Sequence, residues 1–383
     1  MTHDQTYHHI YIAGIKDKLF DIKVSNGRFT SVAESSDIET CHDCESKWIA
    51  PGFVDLHLHL AWTDFDSADQ AKRAPQEIEQ MQAQAFEATL RTGVTTVRDA
   101  GGLLPDAAAR LAQKYDMPLS VTSCGAMLGA GDAKGSRHLQ QSIDGISHSG
   151  AKWIKIFATG GLGSPAEKVL DPLFSKEEFV TAVRAAHAHH MKVMVHTWGG
   201  ATLDWVIEAG ADTVEHGVFM TADQAALLAQ QRIPLIPTTA IYRIAADPHG
   251  AFALPEILCE RAARAADAHQ ISVLGAKRAG VQIGFGTDFA TPALHGLNLD
   301  ELDTLVDCGL TRMEAWQAAT VVGRQILTSG KSGEVIRTGS PADAVLYNAD
   351  PLTAPNAEAL RNSMLAVIKG TEQFRAGLDR KGR

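Results

Sequence analysis

The chain has 383 residues, 45% of them hydrophobic, and a formal net charge of −10. The acidic balance, with no clustered stripe of Lys or Arg, argues against a nucleic-acid partner. No apolar run approaches the length of a membrane span, and the start Met1-Thr2-His3-Asp4-Gln5 is too polar for a signal peptide. A cytoplasmic protein with no membrane partner is expected, and five cysteines in so long a chain suit a reducing compartment.

The first fifty residues read as short β-segments with turns: Ile10 to Ala13, Phe20 to Val24, an Asn26-Gly27 turn, and Phe29 to Val32. Cys41-His42-Asp43-Cys44 has a spacing found in zinc sites, but a structural zinc needs a second ligand pair. No second Cys pair exists, so a turn with no metal is expected there.

Phe53-Val54-Asp55-Leu56-His57-Leu58-His59-Leu60 alternates with the period of a β-strand. Residues two apart on a strand point the same way, so His57 and His59 project together. Paired neutral imidazoles fill a core poorly and hold a divalent metal well. Seven further runs have strand character: Val94 to Asp99, Pro118 to Ser123, Trp153 to Ala158, Lys192 to His196, Asp212 to His216, Ile233 to Thr238, and Val281 to Asp288. Four of them carry Lys155, His196, His216 and Asp288. Helical stretches alternate with these runs. Those of Ala186-His187-Ala188-His189-His190 lead away from the polar strand ends, so their histidines are expected to be solvated. The fold class expected is α/β, a (β/α)8 TIM barrel with functional groups at the C-terminal strand ends.

A barrel uses about 250 residues, so the remainder lies at the two ends. Gly333 to Ile336, Ala344 to Tyr347 and Met364 to Lys369 again look like β-segments. We expect residues 1–52 and 332–383 to build a small composite β-sandwich beside a barrel of residues 53–331.

The ordered set of motifs resembles the amidohydrolase superfamily, in its imidazolonepropionase-related and prolidase-like branch of metal-dependent hydrolases. It comprises His57-Leu58-His59, Lys155 in Ile154-Lys155-Ile156-Phe157-Ala158-Thr159-Gly160-Gly161, His196, Glu215-His216-Gly217, Gly286-Thr287-Asp288, and His295-Gly296-Leu297-Asn298. Gly339 to Tyr347 is similar to the family's returning β-segment, so the likeness covers nearly the whole length. The composite sandwich is also what it implies.

The resemblance implies two divalent metal ions, zinc first by ligand type, with manganese, iron and cobalt also compatible. His57 and His59 would hold one, His196 and His216 the other. A protonated lysine would be repelled there, so Lys155 is implied to carry carbon dioxide as a carbamate bridging both metals; an unmodified lysine binding a substrate anion is the alternative. Asp288 would ligate the first metal, take a proton from the bridging hydroxide and pass it to the leaving nitrogen. Asp99 and Glu215 would orient ligands, and Asp55 would be structural.

Candidate substrate-reading residues are Tyr242 and Arg243 after the seventh strand, Arg137 and His138 in the glycine-rich loop after the third, Trp198, and His295. Each has a plain loop role as its alternative. The chain departs from the prolidase-like pattern His-Ala-His-Gly at His196-Thr197-Trp198-Gly199, which points to an apolar or aromatic substrate group near Trp198. The expected activity is hydrolysis of a C–N bond in a small molecule, best a dipeptide or N-acyl amino acid. A mononuclear cyclic amide or imidazolone hydrolase is the nearest alternative, and a lactonase or esterase is open on the same scaffold. Deamination is disfavoured, because no Glu follows His196 by a few residues. A non-catalytic scaffold should have lost ligands, and all six are present. A homo-oligomer is compatible with a barrel's outer helices.

Overall fold

The computed structural model describes residues 4–15, 17–36, 47–65, 67–164, 168–250, 254–330, 335–370 and 372–375. Cys41, Cys44, Gly333 and Glu334 lie outside the described residues. In chain order the strands are β1 (Gln5–Ile12), β2 (Leu19–Ser25), β3 (Arg28–Glu34), β4 (Trp48–Pro51), β5 (Phe53–Leu58), β6 (Val94–Asp99), β7 (Ser120–Ser123), β8 (Met127–Leu128), β9 (Trp153–Phe157), β10 (Lys192–Gly199), β11 (Thr213–Phe219), β12 (Leu235–Ile236), β13 (Asp343–Tyr347), β14 (Met364–Lys369) and β15 (Glu372–Arg375).

β5 to β12 form an α/β fold with parallel sheets. One sheet runs β12-β11-β10-β9-β8 and the other β5-β6-β7, and every ladder in them is parallel. The eighth expected strand, 281–288, is not a regular strand. It still joins the two sheets: Ile283 bridges to Leu235, Phe289 to Leu58, and Leu56 N donates to Phe285 O at 2.9 Å. Crowding explains the irregularity. A Cβ at Gly284 would press on Ile236 and Leu56, and one at Gly286 on Ile236 and His57. Two glycines let the backbone approach, but they weaken a strand. The pair Met127–Leu128, inside the expected loop after β7, adds a strand against β9.

Helices fill the connections, and their starts follow local chemistry. Ser175 with Glu178, Thr221 with Gln224, and Thr311 with Glu314 form reciprocal capping boxes for Lys176–Ala188, Ala222–Gln231 and Arg312–Gln317. Among the described residues no helix is long and apolar enough to cross a membrane.

The terminal segments meet in one seven-stranded sheet, β15-β14-β13-β4-β1-β2-β3. Its strands alternate between two cores, as a period of two requires. Ile49, Ala344, Leu346 and Ile368 pack with Ile10, Ile22, Val24 and Phe29, while Ala50, Val345 and Val367 join the large core around the parallel sheets. Ile336 lies in a bend, not the expected strand, yet it packs into the first of these cores. Asp343 links the layers: its carboxylate takes Lys369 at 2.8 Å and Arg324 at 3.3 Å, and accepts from Thr95 Oγ1.

Candidate metal centre and active site

β5 is buried along its whole length, which brings His57 and His59 to the C-terminal edge of the parallel strands. His196 arrives on β10 opposite Glu215, and His216 on β11 opposite Thr197. Asp288 follows the irregular eighth segment. His57 Nε2 lies 3.2 Å and His59 Nε2 3.3 Å from Asp288 Oδ1. Donor atoms of His57, His216 and Asp288 all fall within 4.8 Å of one another. The His196 and His216 ring centroids are 4.5 Å apart.

Each imidazole has one nitrogen already spoken for. His57 Nδ1 pairs with Glu215 Oε2 at 2.7 Å, and His59 Nδ1 donates to Gly101 O at 3.1 Å. His196 Nε2 donates to Gly160 O at 2.9 Å. The Thr238 hydroxyl donates to Pro237 O, so it accepts from His216 Nδ1 at 2.7 Å. Such contacts fix the tautomer and present the other nitrogen as a lone pair. Burial keeps His59, His196 and His216 below the ordinary imidazole value, His196 at about 3. Burial pushes Asp288 up, but His57, His59 and His216 overcome it and hold the carboxylate well below its usual range. Buried uncharged imidazoles beside a carboxylate form a donor set that suits a divalent cation.

Lys155 is fully buried, with Nζ 3.1 Å from His57 Nε2 and no ion pair to a described carboxylate. Burial takes its ammonium below the ordinary value, against the pull of Glu215 and Asp288. Burial thus favours its uncharged amine form.

Three residues at this edge have left-handed backbone: His216 at φ 71°, Thr238 at 56° and Asp288 at 56°. For non-glycine residues this costs about 1–3 kcal/mol each and clusters at functional sites. The strand ends are bent to aim side chains inward.

A family model described as the amidohydrolase family matches residues 48–374. The chain belongs to the amidohydrolase family. It is a hydrolase of carbon–nitrogen bonds, acting on small molecules, and its His57, His216 and Asp288 form a group able to hold a metal. It is similar to an uncharacterized protein of Mycobacterium tuberculosis, 28% identical over 338 residues and 84% of each chain. It is also similar to an ochratoxinase of Aspergillus niger, 26% identical over 370 residues, covering 85% of this chain and 75% of the relative. Its fold matches a prolidase solved with N-methylphosphonate-L-proline, with a TM-score of 0.85, 20% identity, and coverage of 98% and 100%.

Around the centre, this amidohydrolase uses residues that sequence patterns had not picked out. Arg98 donates to Glu215 at 2.9 Å, to Thr213 at 3.0 Å and to Leu56 O, and lies over the Trp153 ring. Burial pushes Glu215 up, but Arg98 and His57 overcome it and hold the carboxyl at about 2. A charged residue inside a buried strand was the available signal for Arg98. Glu301 accepts from the backbone N–H of Thr239 and Ala240 and so anchors the helix Thr239–Ala245 that carries Tyr242.

Asp55 is structural: it accepts from Thr287 Oγ1 at 2.8 Å, Asn298 Nδ2 at 3.0 Å and the His57 amide, tying the eighth segment to β5. Asp99 touches no ligand ring. It holds the backbone N–H of Leu60 and Gly101, and so the turn carrying His59.

The expected substrate readers fall in different places. Trp198 is buried, and its Nε1 donates to Tyr242 OH at 3.0 Å. Tyr242 stands edge-on to His216 with centroids 6.1 Å apart. These two therefore stay beside the centre, but the Trp198 ring is packed among Val218, Ile241 and Phe289. His295 is enclosed against Thr89, with Nδ1 3.2 Å from its hydroxyl. The other three point elsewhere. Arg243 is spent on Asp307 at 2.5 Å. His138 faces Asp132 at 4.0 Å on a helix start, and Arg137 beside it is exposed. Their loop is folded by its own contacts, Gly129 N donating to Asp132 at 2.9 Å. His187 pairs with Asp212 at the surface, as expected for a solvated helix.

Proposed function

We propose that this amidohydrolase is a binuclear enzyme that cleaves the amide bond of a dipeptide or N-acyl amino acid. The observation that carries this reading is the convergence of His57, His59, His196, His216 and Asp288 around a buried, uncompensated Lys155. Lys155 supports a carbamate, because burial favours its uncharged amine, and such an amine adds carbon dioxide with release of a proton to leave two oxygens that would suit cations. The prolidase-like fold and the ochratoxinase relative support an amide with a neighbouring carboxylate.

Two divalent cations, zinc by ligand type, would lower the pKa of water and polarise the scissile carbonyl. Asp288, held ionised beside His57 and His59, takes the proton from the attacking water and delivers it to the leaving nitrogen. Glu215 and Thr238 hold the His57 and His216 tautomers through the reaction. Tyr242 accepts from Trp198, which leaves its own proton to donate toward substrate oxygen.

The same reading treats the two parallel sheets and the 281–289 segment as a (β/α)8 barrel of residues 53–331. Residues 1–52 and 332–383 then form the composite sandwich, and the shared core between β1–β3 and β13–β14 supports it.

A mononuclear cyclic amide or imidazolone hydrolase is the second reading, favoured by the tight His57, His216 and Asp288 group, which is one cation's worth of ligands. Elemental analysis of chelator-free protein beside Lys155→Ala decides. Two metals per chain, falling in the variant, support the binuclear enzyme. One metal, unchanged by the variant, overturns it.

A further inference from the structure

Two arginines are almost wholly buried among the described residues, and they differ in one respect. Arg98 is neutralised by Glu215. Arg261, in the helix Glu256–Ala279, forms no ion pair with any described carboxylate. Its Nη1 donates to Leu162 O at 2.5 Å and also to Ser164 O. No described acceptor takes its Nε or Nη2. A buried guanidinium without a counter-charge is costly, and its flat fork of N–H groups matches a carboxylate.

Its position is close to the metal ligands. Arg261, Ala265 and His269 lie four residues apart, on one helix face. At one end of that face His269 Nε2 donates to His216 O at 2.8 Å and its ring meets Tyr242 at 5.0 Å. Ala265 packs with Trp198 and Tyr242. At the other end Arg261 grips the loop that covers His196. Gly161 N donates to Ser164 Oγ at 3.0 Å, and a Cβ at Gly161 would lie 3.0 Å from His196 Nε2. One turn of loop separates the guanidinium from a metal ligand.

We propose that Arg261 is a specificity-determining residue that binds the carboxylate of the substrate, with its free Nε and Nη2 edge. The inference rests on the amide-hydrolase reading and deepens it: the substrate class becomes amides whose amino-acid part keeps a free carboxylate. Arg243, the arginine that the sequence pattern suggested for this role, is engaged by Asp307.

The test uses the metal-loaded enzyme with Ala-Xaa dipeptides and N-acetyl amino acids, each beside its C-terminal carboxamide. Wild type is expected to prefer the acid by about a hundredfold in kcat/KM, as loss of one partner of a desolvated charge pair implies. Arg261→Met should abolish that preference through KM for the acid with the metal content retained, whatever common fall the loss of the two loop hydrogen bonds brings to both forms; Arg261→Lys should restore part of the preference. An equal fall on acid and carboxamide overturns the proposal, leaving Arg261 a loop clamp. Wild-type cleavage of both forms with equal efficiency overturns it too, while the amide-hydrolase reading stands. Cleavage of neither overturns that reading and this one with it. Should Arg261→Met fail to fold, Arg261→Lys decides: a narrowed acid preference at full metal content supports the site, and an unchanged preference overturns it.

Discussion

Glu215 Oε2 lies 2.7 Å from His57 Nδ1, with both side chains shut off from solvent. The other oxygen of the same carboxylate takes Arg98 at 2.9 Å. One carboxylate thus fixes a metal-binding imidazole and neutralises a buried guanidinium. Losing it therefore harms two things at once, because a buried charge left unpaired costs far more than the pair contributes.

Glu215→Gln keeps the shape but removes the charge. Metal affinity, read by competition with a chelator, should fall about 10–100-fold, the usual cost of losing a group that orients a ligand. The melting temperature should fall as well, because Arg98 is then uncompensated. Unchanged affinity would show that Glu215 serves Arg98 alone.

Thr238 separates strain from function. It sits at φ 56° and accepts from His216 Nδ1. Thr238→Gly relieves a strained backbone, worth about 1–3 kcal/mol, against glycine's greater flexibility in the unfolded chain. We expect stability to change little while metal affinity drops about tenfold. A variant with full affinity would mean that His216 needs no fixed tautomer.

The buried histidines of the metal-free protein each contribute stability that acid removes. His269 and His295 are held at about 4 by burial, His196 at about 3, against an ordinary value of 6.5. A depressed folded pKa means that the unfolded chain takes up protons first as pH falls. The stabilisation is complete above about 6.5 and is lost progressively down to 3–4. Asp99 and Glu301, raised by burial to about 7 and about 8, act with the opposite sign over the same range, so the histidine contribution is read as a difference between wild type and a histidine variant in thermal melts of chelator-treated protein. His269→Gln, which keeps a donor for His216 O, should make the decline shallower.

Gly52 is the point where the terminal sheet is pinned to the parallel layer. A Cβ there would run into Asp343 and both branches of Thr95. Gly52→Ala should cost about 1–3 kcal/mol by overpacking, and more if Asp343 loses Lys369 and Arg324. Denaturant unfolding measures this directly. A neutral substitution would mean that the two layers slide freely.

The candidate ligands could be picked out in the sequence for a simple reason. Their positions at strand ends follow from strand period and order, which are local. His57-Leu58-His59, His196, His216 and Asp288 each close an apolar run, Lys155 stands within one, and the order of such runs along the chain already implies an α/β fold. The small elements were less legible. Leu235–Ile236 keeps only two strand residues, and 281–288 none, because close packing against Leu56 and His57 bends the chain there.

Side-chain partners were decided by tertiary structure alone. Sequence placed Tyr242 and Arg243 next to each other as equal candidates, yet one faces His216 and the other Asp307. Arg261 looked like an ordinary helix charge and Arg98 carried only the signal of a charge within an apolar strand, and folding alone decides their partners, Glu215 for one and a loop for the other. Residues far apart in the chain become neighbours through packing, and no local period encodes which charge will meet which. The chain's own order thus marked the candidate ligands, and the fold chose their partners.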